Sequence, residues 1–212
     1  MRGSLLVVAA LSLSATVVDR TAIAVGDRVI TESEITKRIR LTAFQNGQLS
    51  DLSLTSRREA AQRLIDIRLV EHEMEIGHYA PIAPEAAEKL LQAFTAEHFR
   101  SSAEALGLAL KIIDLTPVDL RDELAEQADL LSFTSLRFRP AVEVSDKEIE
   151  EYYRNHIQSA SPAPPSLADA RANIEQILAN ERADLDLDAW LRDQRKRTRI
   201  LYLEKELEPP AQ

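Results

Sequence analysis

Apolar positions along this chain recur mostly with the period of an α-helix, and only its two ends show the shorter rhythm of strands. Ala22–Val25 and Arg28–Ile30 are short strand-like runs around Gly26-Asp27, a pair suited to a tight primed turn. Thr31-Glu32-Ser33-Glu34 then reads as a capping box, in which the Thr31 hydroxyl takes the third helical amide and Glu34 reaches back. The helix it opens is predicted over Glu32–Gln45, with Ile35, Ile39 and Ala43 or Phe44 on one face and Asn46-Gly47 as its stop. A polar loop, Gln48–Leu54, precedes a second expected box at Ser56-Arg57-Arg58-Glu59. From there Ala60, Leu64, Ile67, Val70 and Met74 keep helical spacing until Gly77. Pro84 suits the first position of a third helix, with Ala87, Leu91, Phe94 and Phe99 inward. Ser101-Ser102-Ala103-Glu104 predicts a short fourth helix broken near Gly107. Thr116-Pro117 opens a fifth, carrying Leu120, Leu124, Ala128 and Leu131.

Leu136–Val144, which contains Pro140, reads as extended, and Ser145-Asp146-Lys147-Glu148 as a further capping box for a helix with Ile149, Tyr152 and Tyr153. Gln158–Ser166, "QSASPAPPS", is a Pro/Ser/Ala linker and the clearest boundary in the chain. One long helix is predicted over Leu167–Arg197, with Ile174, Ile177, Leu178, Leu185, Trp190 and Leu191 inward. Arg199–Leu203 has strand character, and Glu204–Gln212 reads as a frayed tail. A lone hairpin and a lone terminal strand are each too small to be stable, so the two are expected to pair and bring the chain's ends together. The expected fold class is mainly α: a multi-helix core with a small sheet formed by the N-terminal hairpin and the C-terminal strand.

Composition narrows the function. Ala, Leu, Glu and Arg dominate, which favours helices. With 35 acidic against 26 basic residues the net charge is −9, a poor balance for binding nucleic acid, whose phosphates supply most of the affinity. No cysteine is present, which removes disulfides, thiolate nucleophiles and cysteine metal sites together. Met1-Arg2 followed by the apolar Leu5–Leu13, too short to span a bilayer, and by the small residues Ser12, Ser14 and Ala15 reads as a signal peptide over residues 1–15, cleaved near Ser14, with an uncleaved anchor or a buried N-terminal strand as the alternatives.

The sequence carries few marks of site chemistry. His72-Glu73 lacks a second histidine four residues on, where Ile76 stands, and His78 falls on a different helical face. Asp184, Asp186 and Asp188 mimic the start of a calcium loop, but Ala189 replaces its glycine and Arg195 its closing glutamate. No metal and no cofactor is expected. There is no Gly-rich phosphate loop and no nucleophile elbow, and no carboxylate pair is singled out. Arg192, Arg195, Lys196, Arg197 and Arg199 form the one strong basic run. It reads either as cations complementing a helix C-terminus or as a weak contact for anionic membrane or an acidic partner.

Four stretches together resemble the SurA-like periplasmic chaperones. "VVDRTAIAVGDRVITESEI" at Val17–Ile35 is similar to the start of their mature chains, although the usual Val-Asn pair of the hairpin is missing. "LIDIRLVEHEMEIG" at Leu64–Gly77 resembles their second helix, and "LRFRPAVEVSDKEIEEYYRNH" at Leu136–His156 the exit from their N-terminal domain. "DAWLRDQRKRTRILYL" at Asp188–Leu203 resembles their C-terminal helix and closing strand. Larger members carry parvulin-type prolyl isomerase domains between the last two, where this chain has only Gln158–Ser166. The resemblance therefore implies a chaperone domain over residues 16–157, a linker at 158–166 in place of the isomerase, a C-terminal helix and strand over 167–203 packing back, and a flexible tail at 204–212.

The function it implies is an ATP-independent periplasmic holdase, not an enzyme, binding unfolded outer-membrane or secreted polypeptides. Holding needs an exposed apolar groove and a soluble, like-charged exterior. The candidate peptide-binding residues are apolar positions beyond what the core absorbs: Phe44, Phe94, Phe99, Ile112, Ile113 and Phe133. Core packing is the alternative role for each. Two other functions stay open: an envelope scaffold binding one folded partner, and a prolyl isomerase with an unusual site.

Overall fold

In the computed structural model, which describes residues 19–159 and 163–209, Thr21–Val25 (β1) and Arg28–Thr31 (β2) form an antiparallel hairpin. It closes through Gly26, whose φ of +60° only glycine adopts without strain, while Asp27 stays at negative φ, the pattern of a II′ turn. Ile200–Tyr202 (β3) pairs antiparallel with the other edge of β1, with Ile23 opposite Tyr202 and Val25 opposite Ile200, giving the order β2-β1-β3. The Gly26 N–H also donates to the Arg199 carbonyl at 2.9 Å. The N-terminal hairpin and the C-terminal strand thus complete one small sheet, and the signal peptide expected at 1–15 lies outside the described residues.

Seven α-helices supply the rest among the described residues: Glu32–Gln45 (α1), Leu54–Ile76 (α2), Pro84–Phe99 (α3), Ala103–Ile112 (α4), Pro117–Arg137 (α5), Asp146–Tyr152 (α6) and Leu167–Arg197 (α7). The protein is mainly helical with one three-stranded antiparallel sheet. Among the described residues no helix is long and apolar enough to cross a membrane. Local chemistry sets most helix starts. Thr31–Glu34, Thr116–Asp119 and Ser145–Glu148 each form a reciprocal capping box, and Pro84 and Pro117 sit where their missing N–H costs nothing.

Helix α2 is the hub. It packs on α1, α5 and α7, on the hairpin, and on a 3-10 turn at Lys205–Leu207. Its buried residues Ala60, Ala61, Leu64, Ile65, Leu69, Val70 and Met74 run round much of the helix because it has neighbours on several sides. One apolar cluster joins it to the sheet and α1 through Ile23, Ile30, Ile35 and Leu207. A second gathers α1, α3, α4 and the start of α5 around Leu41, Leu106, Leu110 and Leu120. A third centres on Phe133 with Val70, Met74 and Trp190. The fourth, Ile149, Ala170 and Ile174, holds α6 against the first half of α7.

Five expectations need correction. Helix α2 starts at Leu54 rather than after Ser56, because Ser53 caps it and is itself held by Asp51, which accepts from the Ser53 amide at 2.9 Å. Helix α4 runs through Gly107 to Ile112. Leu136–Val144 is not extended: α5 continues to Arg137, and a 3-10 turn at Arg139–Ala141 accommodates Pro140. Leu131 and Leu185 face solvent rather than the core, because α5 and α7 meet through Leu130, Phe133, Leu187 and Trp190. The described part of the tail is docked, with Leu207 fully buried against α2. Helix α6 packs against α7. Helix α6 runs on into a π-helical turn at Tyr153–Gln158.

Candidate functional site

The structure brings together four of the six expected peptide contacts, Phe44, Phe94, Phe99 and Ile113. Phe44 from α1 stacks at 6.0 Å on Phe99, and Phe94 of α3 lies 6.1 Å from Phe44 and 6.4 Å from Phe99. With Ile113 these rings are half-buried, their inner sides packed on Leu41, Leu106, Leu110, Leu115 and Leu120. They form the rim of a core. Ile112 is separate: it projects from α4 with 84% of its surface exposed, one turn beyond the exposed Leu108. Phe133 belongs to no surface. It is fully buried, edge-on to Tyr79 at 5.3 Å and packed by Phe138 and Trp190.

An open concavity lies elsewhere, between α2 and α5, with a volume of about 520 Å³. That lies within the roughly 300–1,000 Å³ typical of ligand clefts. Helix α2 presents Ile67, Val70, Glu71, Met74 and Glu75 to it, and α5 presents Asp122, Ala125, Glu126, Asp129 and Leu130. Both sets follow helical i, i+3, i+4 spacing, so each is one face of its helix. Tyr79 and Pro81 from the α2–α3 loop close one side, and Arg28 of β2 stands at another. The floor is aliphatic and aromatic, and Met74 adds an adaptable thioether. The loop wall is pinned where the Ile82 N–H donates to Asp129 Oδ1 at 2.6 Å.

The walls are charged, and predominantly acidic. Arg28 is shared by Glu71 at 3.2 Å and Glu75 at 2.5 Å, and its Nε is buried without a partner among the described residues. Behind the cleft, Arg68 bridges Glu34 at 2.5 Å and Glu71 at 3.1 Å. Arg38 of α1 reaches across to α5, pairing with Glu123 at 2.6 Å and with Glu126. Burial nevertheless pushes the Glu126 carboxyl above its ordinary value: the Arg38 charge opposes this, and the neighbouring Glu123 and Glu71 reinforce it. At the same junction burial alone would raise the Asp119 carboxyl. The Lys37 ammonium at 2.6 Å and the Thr116 hydroxyl and amide outweigh it and hold Asp119 below its ordinary value.

The remaining candidates separate. His72 and His78 are both exposed, and Asp184, Asp186 and Asp188 are exposed on α7. The basic run divides by role. Arg195 is structural, donating to Asp66 at 2.7 Å and to the Gln62 carbonyl at 2.8 Å, and Arg197 pairs one turn back with Asp193 at 2.9 Å. Arg192, Lys196 and Arg199 are exposed.

The cleft itself escaped the sequence reading. Its signal was present as Asp122, Glu126 and Asp129 on one face of α5 and as apolar residues of α2 beyond one core stripe. That these two faces meet was not readable from spacing. No protein-family model matches the chain, and no curated protein matches it.

Proposed function

We propose that this protein is an ATP-independent holdase of the bacterial envelope, a SurA-like chaperone module without isomerase domains, which captures unfolded outer-membrane or secreted polypeptides. The observation that carries this reading is the open cleft between α2 and α5, whose floor of Ile67, Val70, Met74 and Leu130, with Tyr79 closing one side, offers apolar surface in a solvent-facing groove. Met74 and Tyr79 suit a site that accepts many sequences, because a thioether and an aromatic face adapt to varied side chains. The half-buried rings of Phe44, Phe94 and Phe99 and the exposed Leu108 and Ile112 add apolar surface on the α3–α4 side. Barrel clients alternate apolar and polar residues along each strand, so an extended segment offers apolar anchors at every second position.

The acidic exterior keeps a loaded holdase soluble, since a surface far from neutral resists self-association. Binding here rests on side-chain burial and needs no covalent chemistry. The test is light scattering when a urea-unfolded outer-membrane barrel protein is diluted into buffer with and without the chain. Suppression at near-stoichiometric ratio, without nucleotide, is the expected result. No suppression by a large excess of folded protein overturns the reading, and a search for one specific folded partner then takes its place.

A further inference from the structure

The cleft's carboxylates exceed the cations that could neutralise them. Five carboxylates line it (Glu71, Glu75, Asp122, Glu126 and Asp129) against the single Arg28. Arg28 is already committed to Glu71 and Glu75, and Arg38 and Arg68 reach Glu126 and Glu71 from behind the wall. On the α5 side, Asp129 accepts only a neutral backbone N–H among the described residues. Among the described residues Asp122 is held only by its exposed neighbour Arg121, a surface pair of little strength. Negative charge is thus left over along one wall, beside the apolar residues of the cleft.

We infer that this cleft selects, among unfolded segments, those in which an aliphatic or aromatic anchor is flanked by lysine or arginine. The apolar anchor occupies the floor formed by Ile67, Val70, Met74 and Leu130, and the flanking cations meet Asp122 and Asp129 on α5. An anchor flanked by glutamate meets the same wall with repulsion. This rests on the holdase reading for its class of ligand, but the preference belongs to the cleft alone.

The test uses the full chain and three fluorescein-labelled peptides that share one Leu-Phe anchor and carry lysine, serine or glutamate flanks, with binding followed by anisotropy. Two unit charges about 4 Å apart are worth about 1 kcal/mol in water, so two flanking lysines should bind about thirtyfold tighter than serines at low salt. The advantage should fade at about 1 M salt, where the screening length is about 3 Å. Asp122→Asn with Asp129→Asn keeps an oxygen to accept from Arg121 and from the Ile82 amide, so the fold is preserved, as an unchanged unfolding midpoint would verify. In that variant the lysine advantage should disappear. Equal affinity for all three peptides overturns the inference, as does a lysine preference that survives the double substitution. The two readings fail separately. A barrel protein kept soluble with no charge preference leaves the holdase standing and removes the selectivity. A lysine preference without any effect on aggregation does the reverse.

Discussion

Arg38 illustrates how a single side chain ties distant segments together. It leaves α1 with only 11% of its side chain exposed and meets Glu123, which is 4% exposed, and Glu126 on α5. Removing the cation strands a buried carboxylate. Arg38→Met should therefore cost about 3 kcal/mol, and adding Glu123→Leu should recover much of it; urea midpoints of the two variants measure both. The carboxyls beside it titrate in opposite senses. Glu126 is held above its ordinary value, so its contribution to stability is present below the usual glutamate range and is lost as pH rises through the raised value. Glu126→Gln should match the parent in acid and exceed it at neutral pH, as denaturation at two pH values would reveal. Asp119 is held below its ordinary value, so its contribution is present above the usual aspartate range and is lost as pH falls through the lowered value. Asp119→Asn should accordingly flatten the loss of stability in acid. At this scale the sequence identified Thr116-Pro117 as a helix start but could not name Lys37, 82 positions away, as the partner of Asp119.

Among the elements, α4 and the end of α2 differ in what glycine does for them. Gly107 sits inside α4 with open space where a Cβ would go, so it costs the helix backbone entropy and returns no packing. Gly107→Ala should stabilise the protein by about 0.5–1 kcal/mol, read from thermal or urea unfolding. Gly77 ends α2 under the Tyr79 ring, and an added Cβ would come within 2.5 Å of that ring. Gly77→Ala should cost about 1–3 kcal/mol and shift Tyr79, which packs on Phe133 and forms part of the cleft wall. Helix starts were legible because a cap is a local arrangement of three or four residues, as the boxes at Thr31, Thr116 and Ser145 demonstrate. The start of α2 was misplaced because Ser53 and Ser56 are both plausible caps, and Asp51, which holds the two hydroxyls, decides for Ser53. The continuation of α4 past Gly107 depends on Leu106 and Leu110 being buried on either side, which propensity cannot register.

For the whole molecule, the C-terminal segment acts as a clasp. β3 completes the sheet, Leu207 fills a pocket against α2, and Glu204 receives Arg57 at 2.8 Å. Burial and the adjacent Glu32 carboxyl hold Glu204 above its ordinary value. Leu207→Ala should lower stability by about 3 kcal/mol by leaving a void under the sheet, and a loss below about 1 kcal/mol would mean the segment is dispensable. The pairing of the chain's ends was foreseeable from the sequence, since two short strand signals with no other partner must find one another. So were the long α7 and the predominance of helix, because both rest on periodicity, proline and capping within a few residues. Which apolar residues are buried and which form surface was settled only by packing. Phe133 entered the core because α7 brings Trp190 against it, whereas Ile112 stayed out because nothing covers that face of α4 among the described residues. The acid-walled cleft belongs to the same category. Its two faces are local patterns, but their meeting depends on the angle at which α5 crosses α2, and that angle is fixed by contacts far apart in sequence.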